Sequence, residues 1–168
     1  MEQKKDITIL PGDPAALVVE TSNLSGKIKF SSGCIVHPTA SIKATNGPIE
    51  FGESNLIEEQ VVIENLSEDP LIIGPNNHFE IGCVIHASSV GKNNVFGVRS
   101  IVETGAKITD GCSIGPKCLV KPFEKLSPRT VLCGNLNCER RSNDDPPSIA
   151  SQMDHLRLVI PKYNKIIK

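Results

Sequence analysis

Val90-Gly91-Lys92-Asn93-Asn94-Val95-Phe96-Gly97-Val98-Arg99-Ser100-Ile101-Val102-Glu103-Thr104-Gly105-Ala106-Lys107-Ile108 decides how this chain folds, because Val90, Phe96, Val102 and Ile108 recur every six residues. Six matches neither the spacing of about 3.6 of a helix nor the two-residue alternation of a flat sheet. It marks a short strand, a corner and another short strand, with one large side chain per strand turned inward. The beat runs on through Ile114, Val120, Leu126 and Leu132, and back through Ile85, Phe79, Ile73, Ile63, Ile57, Phe51, Ile42, Val36 and Phe30. Two residues before most of these stands a small or turn-prone residue: Cys34, Ala40, Asn55, Asn77, Cys83, Ser88, Asn94, Ser100, Ala106, Cys112, Cys118 and Thr130, with Val61 in the same column.

Three such strands make one coil of about eighteen residues. The coil starts Phe30, Phe51, Ile73, Val90, Ile108 and Leu126 are 21, 22, 17, 18 and 18 residues apart, so the departures are local. Two insertions cause the long steps, 44–48 after Ile42 and 64–70 after Ile63, and the step from Ile85 to Val90 is one residue short. Each follows the third inward residue of its coil, which puts all three on one edge of a triangular prism. An edge that collects irregularity is where a solenoid commonly carries its binding surface. Once per coil a Gly follows the inward residue and an Asn comes three later, in Gly52-Glu53-Ser54-Asn55, Gly74-Pro75-Asn76-Asn77 and Gly91-Lys92-Asn93-Asn94. Asn tolerates left-handed torsions and bonds to neighbouring backbone. Asn55, Asn77 and Asn94 are thus expected at tight corners, stacked closely enough to bond to one another.

The expected architecture is an all-β solenoid of about six coils over residues 7–134, a linker over 135–147 and a C-terminal amphipathic helix and tail over 148–168. The helix rests on Ile149, Met153, Leu156, Ile160 and Tyr163, with Ser148 as N-cap and Pro161 expected to kink or end it near Ile160. This helix either folds back over the coils or docks on another chain.

Composition narrows the function. A net charge of -1 with a pI near 6.4, and no basic patch interleaved with aromatics, argues against nucleic acid or a charged membrane surface. Aromatics at 4% with no Trp suit a thin interior of Ile, Val and Leu. The opening Met1-Glu2-Gln3-Lys4-Lys5-Asp6 leads into an apolar run too short for a signal peptide, so a cytosolic address is expected, with no membrane insertion. Four of the six cysteines sit in the small-residue column as fillers, and Cys133 and Cys138 match no metal motif.

Two enzyme classes use hexad solenoids, and both need histidine: a general base for acyl transfer, or three ligands on a metal that acidifies water. The chain has His37, His78, His86 and His155. His37 and His86 directly follow inward residues, at corner positions that are usually solvated. His86 lies beside the shortened strand and is the best single ligand or base, yet only Cys83 accompanies it nearby. No catalytic, cofactor-binding or metal residues are therefore assigned. The competing reading is a metal-dependent hydratase of the carbonic anhydrase kind, which predicts bound zinc or iron and dependence on His86. The acidic residues near the long insertion read as solubilising or partner-contacting.

Gly47-Pro48-Ile49, the stretch Phe51-Gly52-Glu53-Ser54-Asn55-Leu56-Ile57-Glu58-Glu59-Gln60 and the stretch Ile72-Ile73-Gly74-Pro75-Asn76-Asn77-His78-Phe79-Glu80-Ile81-Gly82-Cys83 resemble the dynactin subunit 6 family. So do Gly91-Lys92-Asn93-Asn94-Val95, Gly111-Cys112-Ser113-Ile114-Gly115 and Leu158-Val159-Ile160-Pro161-Lys162-Tyr163, so that the likeness spans nearly the whole chain. The resemblance implies a left-handed parallel β-helix of hexapeptide repeats with a C-terminal α-helix, against the usual right-handed crossover. It also implies a non-catalytic subunit without cofactors. Such a subunit pairs with dynactin subunit 5, a second hexapeptide-repeat protein, beside other pointed-end subunits and the actin-related protein. That assembly is cytoplasmic and cytoskeleton-associated, and supports dynein and its cargo adaptors on microtubules. On this reading the contact residues are Glu58, Glu59, Gln60 and Glu64 on the irregular edge and Met153, Leu156, Ile160 and Tyr163 on the helix.

Overall fold

The six-residue beat becomes a parallel β-solenoid with three faces in the computed structural model, which describes residues 5–135 and 138–168. Every inward residue named above is at most 3% exposed. The first face stacks Lys5–Ile9, Asn23–Phe30, Ile49–Phe51, Leu71–Ile73, Ser89–Val90 and Lys107–Ile108. The second stacks Leu17–Val18, Ile35–Val36, Leu56–Ile57, His78–Phe79, Val95–Phe96, Ser113–Ile114 and Thr130–Cys133. On the third, the beginning of Asn23–Phe30 is followed by Ser41–Lys43, Val62–Glu64, Val84–Ile85, Ile101–Val102 and Leu119–Val120. Asn23–Phe30 serves two faces because it rounds the corner at Gly26, whose φ of 78° leaves room for the Ala44 carbonyl beside it.

In-register stacking puts like above like. Phe30 lies on Phe51 and Phe79 on Phe96, with ring centroids 4.9 and 4.8 Å apart, the spacing of paired strands. Asn55, Asn77 and Asn94 form a buried ladder: the Asn77 amide donates to Asn55 Oδ1 at 3.0 Å and the Asn94 amide to Asn77 Oδ1 at 2.9 Å. Cys112 N–H donates to Asn94 Oδ1 at 2.7 Å, continuing the column with a cysteine in the Asn position. The left-handed torsions fall one residue earlier than expected, at Ser54, Asn76 and Asn93 (φ 55°, 59° and 57°). The buried Asn side chains thus serve the ladder and their neighbours turn the corner.

The two insertions pack on one another. Asn46 N–H donates to the Asn65 carbonyl at 3.2 Å, and the buried Asn65 amide donates to the carbonyls of Pro48 and Asp69 at 3.0 and 2.8 Å. The irregular edge is therefore a built loop stack.

The expected linker is partly structured. Cys138–Arg141 folds back antiparallel on Thr130–Cys133 and closes the second face at its C-terminal end, while residues 136 and 137 of that linker, like residues 1–4, lie outside the described residues. The helix runs Ala150–Tyr163 and carries Pro161 in its last turn, so it continues three residues past Ile160, the expected place for Pro161 to kink or end it. Ile149, not the expected Ser148, takes the N-cap position and no side chain caps it; Ser148, one residue earlier, accepts the Ala150 N–H on its Oγ at 3.2 Å. The tail then pairs with the other end of the second face: Glu20 N–H donates to the Lys165 carbonyl and Ile167 N–H to the Val18 carbonyl, both at 2.8 Å. Both ends of that face are capped by the chain itself, so the apolar repeat strands there are not the open edges.

Candidate interaction surfaces

The residue before each inward one points out of the prism, and these outward rows give the faces different characters. On the first face the row is Lys29, Glu50, Ile72, Ser89 and Lys107, with Lys29 Nζ 3.5 Å from Glu50 Oε2: a solvated surface. On the second it begins Leu17, Ile35, Leu56, His78 and Val95. On the third it is Ser41, Val62, Val84, Ile101 and Leu119.

The C-terminal helix covers the first three rungs of the second row, Leu17, Ile35 and Leu56. Met153 and Ile160 are buried in one cluster with Val19, Ile35 and Leu56, against which Ile149, Leu156 and Ile166 also pack. Arg157 clamps the helix by donating to the carbonyls of Gly33 at 2.5 Å and Ala15 at 3.2 Å. Of the expected helical contact residues, Met153, Leu156 and Ile160 are thus spent on the chain's own coils. Tyr163, 80% exposed, faces solvent with Leu158.

The third row is bare. Ile101 and Leu119 are 38% and 37% exposed, and Ile81 and Val98, at the corner leading into this face, are exposed as well. Phe123, 79% exposed, stands at the far corner against Gly105. Five of the nine large exposed apolar side chains among the described residues therefore gather on or beside one face. The signal was present in the sequence, one position before each third inward residue, where Val62, Val84, Ile101 and Leu119 recur.

The acidic candidates divide between two corners. Glu58, Glu59 and Gln60 turn the corner from the second face to the third, and only Glu64 lies on the insertion edge beyond the third face. They flank the bare row instead of forming one patch. Glu58 and Glu59 are also engaged: His78 Nε2 lies 2.6 Å from Glu58 Oε1, and His37 Nδ1 lies 2.8 Å from Glu59 Oε1. Burial pushes the Glu58 carboxyl up, but the hydrogen bond from His78 and the neighbouring imidazoles of His78 and His37 outweigh it and hold the group below the usual carboxylate value. Reversing the charge of Glu58 would cost stability as well as any contact, so it is not a clean contact residue. Gln60 is exposed, and Glu64 accepts a hydrogen bond from Thr45 Oγ1 at 2.6 Å.

His37 is not solvated, as its corner position suggested; it is 9% exposed, because the long Glu59 side chain of the next coil reaches down to it. His86 sits 4.0 Å from Glu64 Oε2. Among the described residues no three His, Cys, Asp or Glu side chains are grouped to hold a metal ion, and no helix is long and apolar enough to cross a membrane.

No family model matches the chain. Among solved structures it is similar to the UDP-N-acetylglucosamine O-acyltransferase of Moraxella catarrhalis, with a TM-score of 0.58 at 16% identity over 98% of this chain and 84% of that one. At that identity the likeness speaks for the fold alone. Sequence relatives go further: dynactin subunit 6 of Danio rerio is 36% identical over 98% of this chain and 89% of the relative. Dynactin subunit 6 of Xenopus tropicalis is 37% identical over 92% and 83%. With the solenoid, the covered second face and relatives matched nearly end to end, the chain belongs to the dynactin subunit 6 family.

Proposed function

We propose that this chain is a non-catalytic interaction subunit of the dynactin complex, cytoplasmic and cytoskeleton-associated, which pairs with the hexapeptide-repeat subunit 5 at the pointed end. There it supports dynein-driven transport of cargo on microtubules. The observation that carries this reading is the unequal treatment of the faces: the chain covers the apolar start of its second face, Leu17, Ile35 and Leu56, with its own helix and leaves the apolar row Val62, Val84, Ile101 and Leu119 uncovered. A contiguous exposed apolar patch on a soluble chain marks a contact surface. Its flat, regularly spaced rungs suit a second solenoid, whose strands repeat at the same spacing of about 4.8 Å.

On this reading Gln60 and Glu64 stand on the two rims of the contact, and Tyr163 on the outer side of the helix is available to a further subunit. The test is purification of the tagged full chain from cytosol at native salt. Stoichiometric recovery of a second hexapeptide-repeat subunit with actin-related protein is expected. Recovery of the chain as a lone metal-bearing homotrimer would overturn the reading.

A further inference from the structure

Six cysteines occur in the chain, and the structure divides them into two kinds. Cys34, Cys83, Cys112 and Cys118 are buried in the coil interior. Burial pushes the thiol of Cys34 up to about 11 and raises those of Cys83 and Cys112, which makes them poor nucleophiles. Cys133 and Cys138 lie outside the core, Cys133 partly exposed and Cys138 exposed. Five residues apart in sequence, they are directly opposed across the antiparallel hairpin that closes the second face. Leu132 turns inward beside Cys133, so Cys133 points outward, and residues opposed in an antiparallel pair present their side chains on the same side of the sheet. Their Cα atoms in such a pair lie about 4.5–5.5 Å apart, inside the range of about 4.4–6.8 Å that a disulfide spans. The Cys133 sulfur is already 3.6 Å from the carbonyl oxygen of Cys138.

We propose that Cys133 and Cys138 form a reversible thiol–disulfide site, oxidised by a small anionic disulfide of the glutathione type, which locks the hairpin closing the C-terminal end of the solenoid. The thiolate of exposed Cys138 attacks one sulfur of glutathione disulfide. A Cys138–glutathione bond forms, the glutathione disulfide bond breaks, and one glutathione thiolate leaves. The Cys133 thiolate then attacks the Cys138 sulfur and expels the second glutathione. The two protons given up by the cysteines end on the two glutathione thiols, and the cysteine pair is oxidised by two electrons while glutathione disulfide is reduced by two. Arg140 and Arg141, exposed on the same strand as Cys138, place positive charge near an anionic reagent. Intracellular disulfides are chiefly transient and redox-sensing, which agrees with an exposed pair and not with a buried structural bond.

The experiment incubates the full chain in glutathione buffers of increasing oxidised fraction, quenches with an alkylating reagent and reads the 133–138 region by mass spectrometry. Loss of two hydrogens, with both cysteines protected from alkylation and the change undone by dithiothreitol, is expected while the four buried thiols remain reduced. Cys133→Ser, a near-isosteric change at a partly exposed site, is expected to retain one glutathionyl group on Cys138, because the resolving thiol is gone. Three results would overturn the proposal: a glutathionyl adduct that persists in the parent chain, a disulfide between two copies, or free alkylation of both thiols in the most oxidised buffer.

Discussion

The second and third faces of this solenoid start from the same repeat and end in opposite states. Both carry apolar residues in their outward rows, Leu17, Ile35, Leu56 and Val95 on one and Val62, Val84, Ile101 and Leu119 on the other. On the second face Ile35 and Leu56 are fully buried, because Met153 and Ile160 of the helix lie on them; on the third face Ile101 and Leu119 keep more than a third of their surface in water. The hexad rule is blind to this difference, since it fixes only what points inward. What separates the faces is a helix of fourteen residues that chooses one of them, and the face left over is the one available to a partner.

The sharpest way to break the comparison is the same change on both faces. Leu56→Asp strands a carboxylate beneath the helix, and is expected to cost at least the ~2–5 kcal/mol of a large-to-small core truncation, read as a fall in the urea midpoint. The helix should come loose with it, read as faster hydrogen exchange over 150–163. Ile108→Ala, inside the first face, empties a site shared by no helix and no partner. It should cost about 2–5 kcal/mol and leave helix exchange in proportion to global stability. If Leu56→Asp left both readouts untouched, the helix would not be the cover of the second face.

Glu58 adds a pH dependence on the corner between the two faces. Its folded pKa is lowered, so its contribution is complete above the ordinary carboxylate range and is lost as pH falls through the depressed folded value. Glu58→Gln should flatten that acid limb by lowering stability at neutral pH, where the carboxylate's contribution is complete, and should match the parent in acid below the depressed value. An unaltered acid limb would mean that the 2.6 Å contact with His78 carries no stability.

The solenoid itself was legible because its interior admits one large side chain per strand, and the inward column from Phe30 to Leu132 is buried without exception. The Asn ladder was legible too, although the residues in left-handed conformation are its neighbours Ser54, Asn76 and Asn93. The surfaces were much less so. The stripe Met153, Leu156 and Ile160 announces that the helix docks, but nothing in its spacing says whether on its own coils or on another chain. Cys138–Arg141 has four exposed residues and no alternation, so its pairing with Thr130–Cys133 left no trace in the pattern. Glu58, Glu59 and Glu64 are close in sequence yet fall on different corners, because a stretch of six residues is one full side of the prism. His37 was read as solvated because the side chain that covers it, Glu59, is 22 residues away.

The smallest expected change in stability belongs to Ile101→Asp, and it is the most telling about function. Ile101 is already 38% exposed in the bare row, so its replacement strands no charge in an interior and should cost about 1 kcal/mol, the scale of a strand-propensity change. The same carboxylate would sit in the middle of the apolar row, between Val84 and Leu119, where a docked partner has to exclude water. An unpaired charge buried at the centre of an interface costs far more than the lost contact of one side chain. A folded chain with its urea midpoint only slightly lowered that no longer retains its hexapeptide-repeat partner would therefore locate the contact on the third face. Unchanged recovery of that partner from Ile101→Asp would remove the third face from the interface and leave the insertion edge and the Tyr163 side of the helix as the surfaces to substitute next.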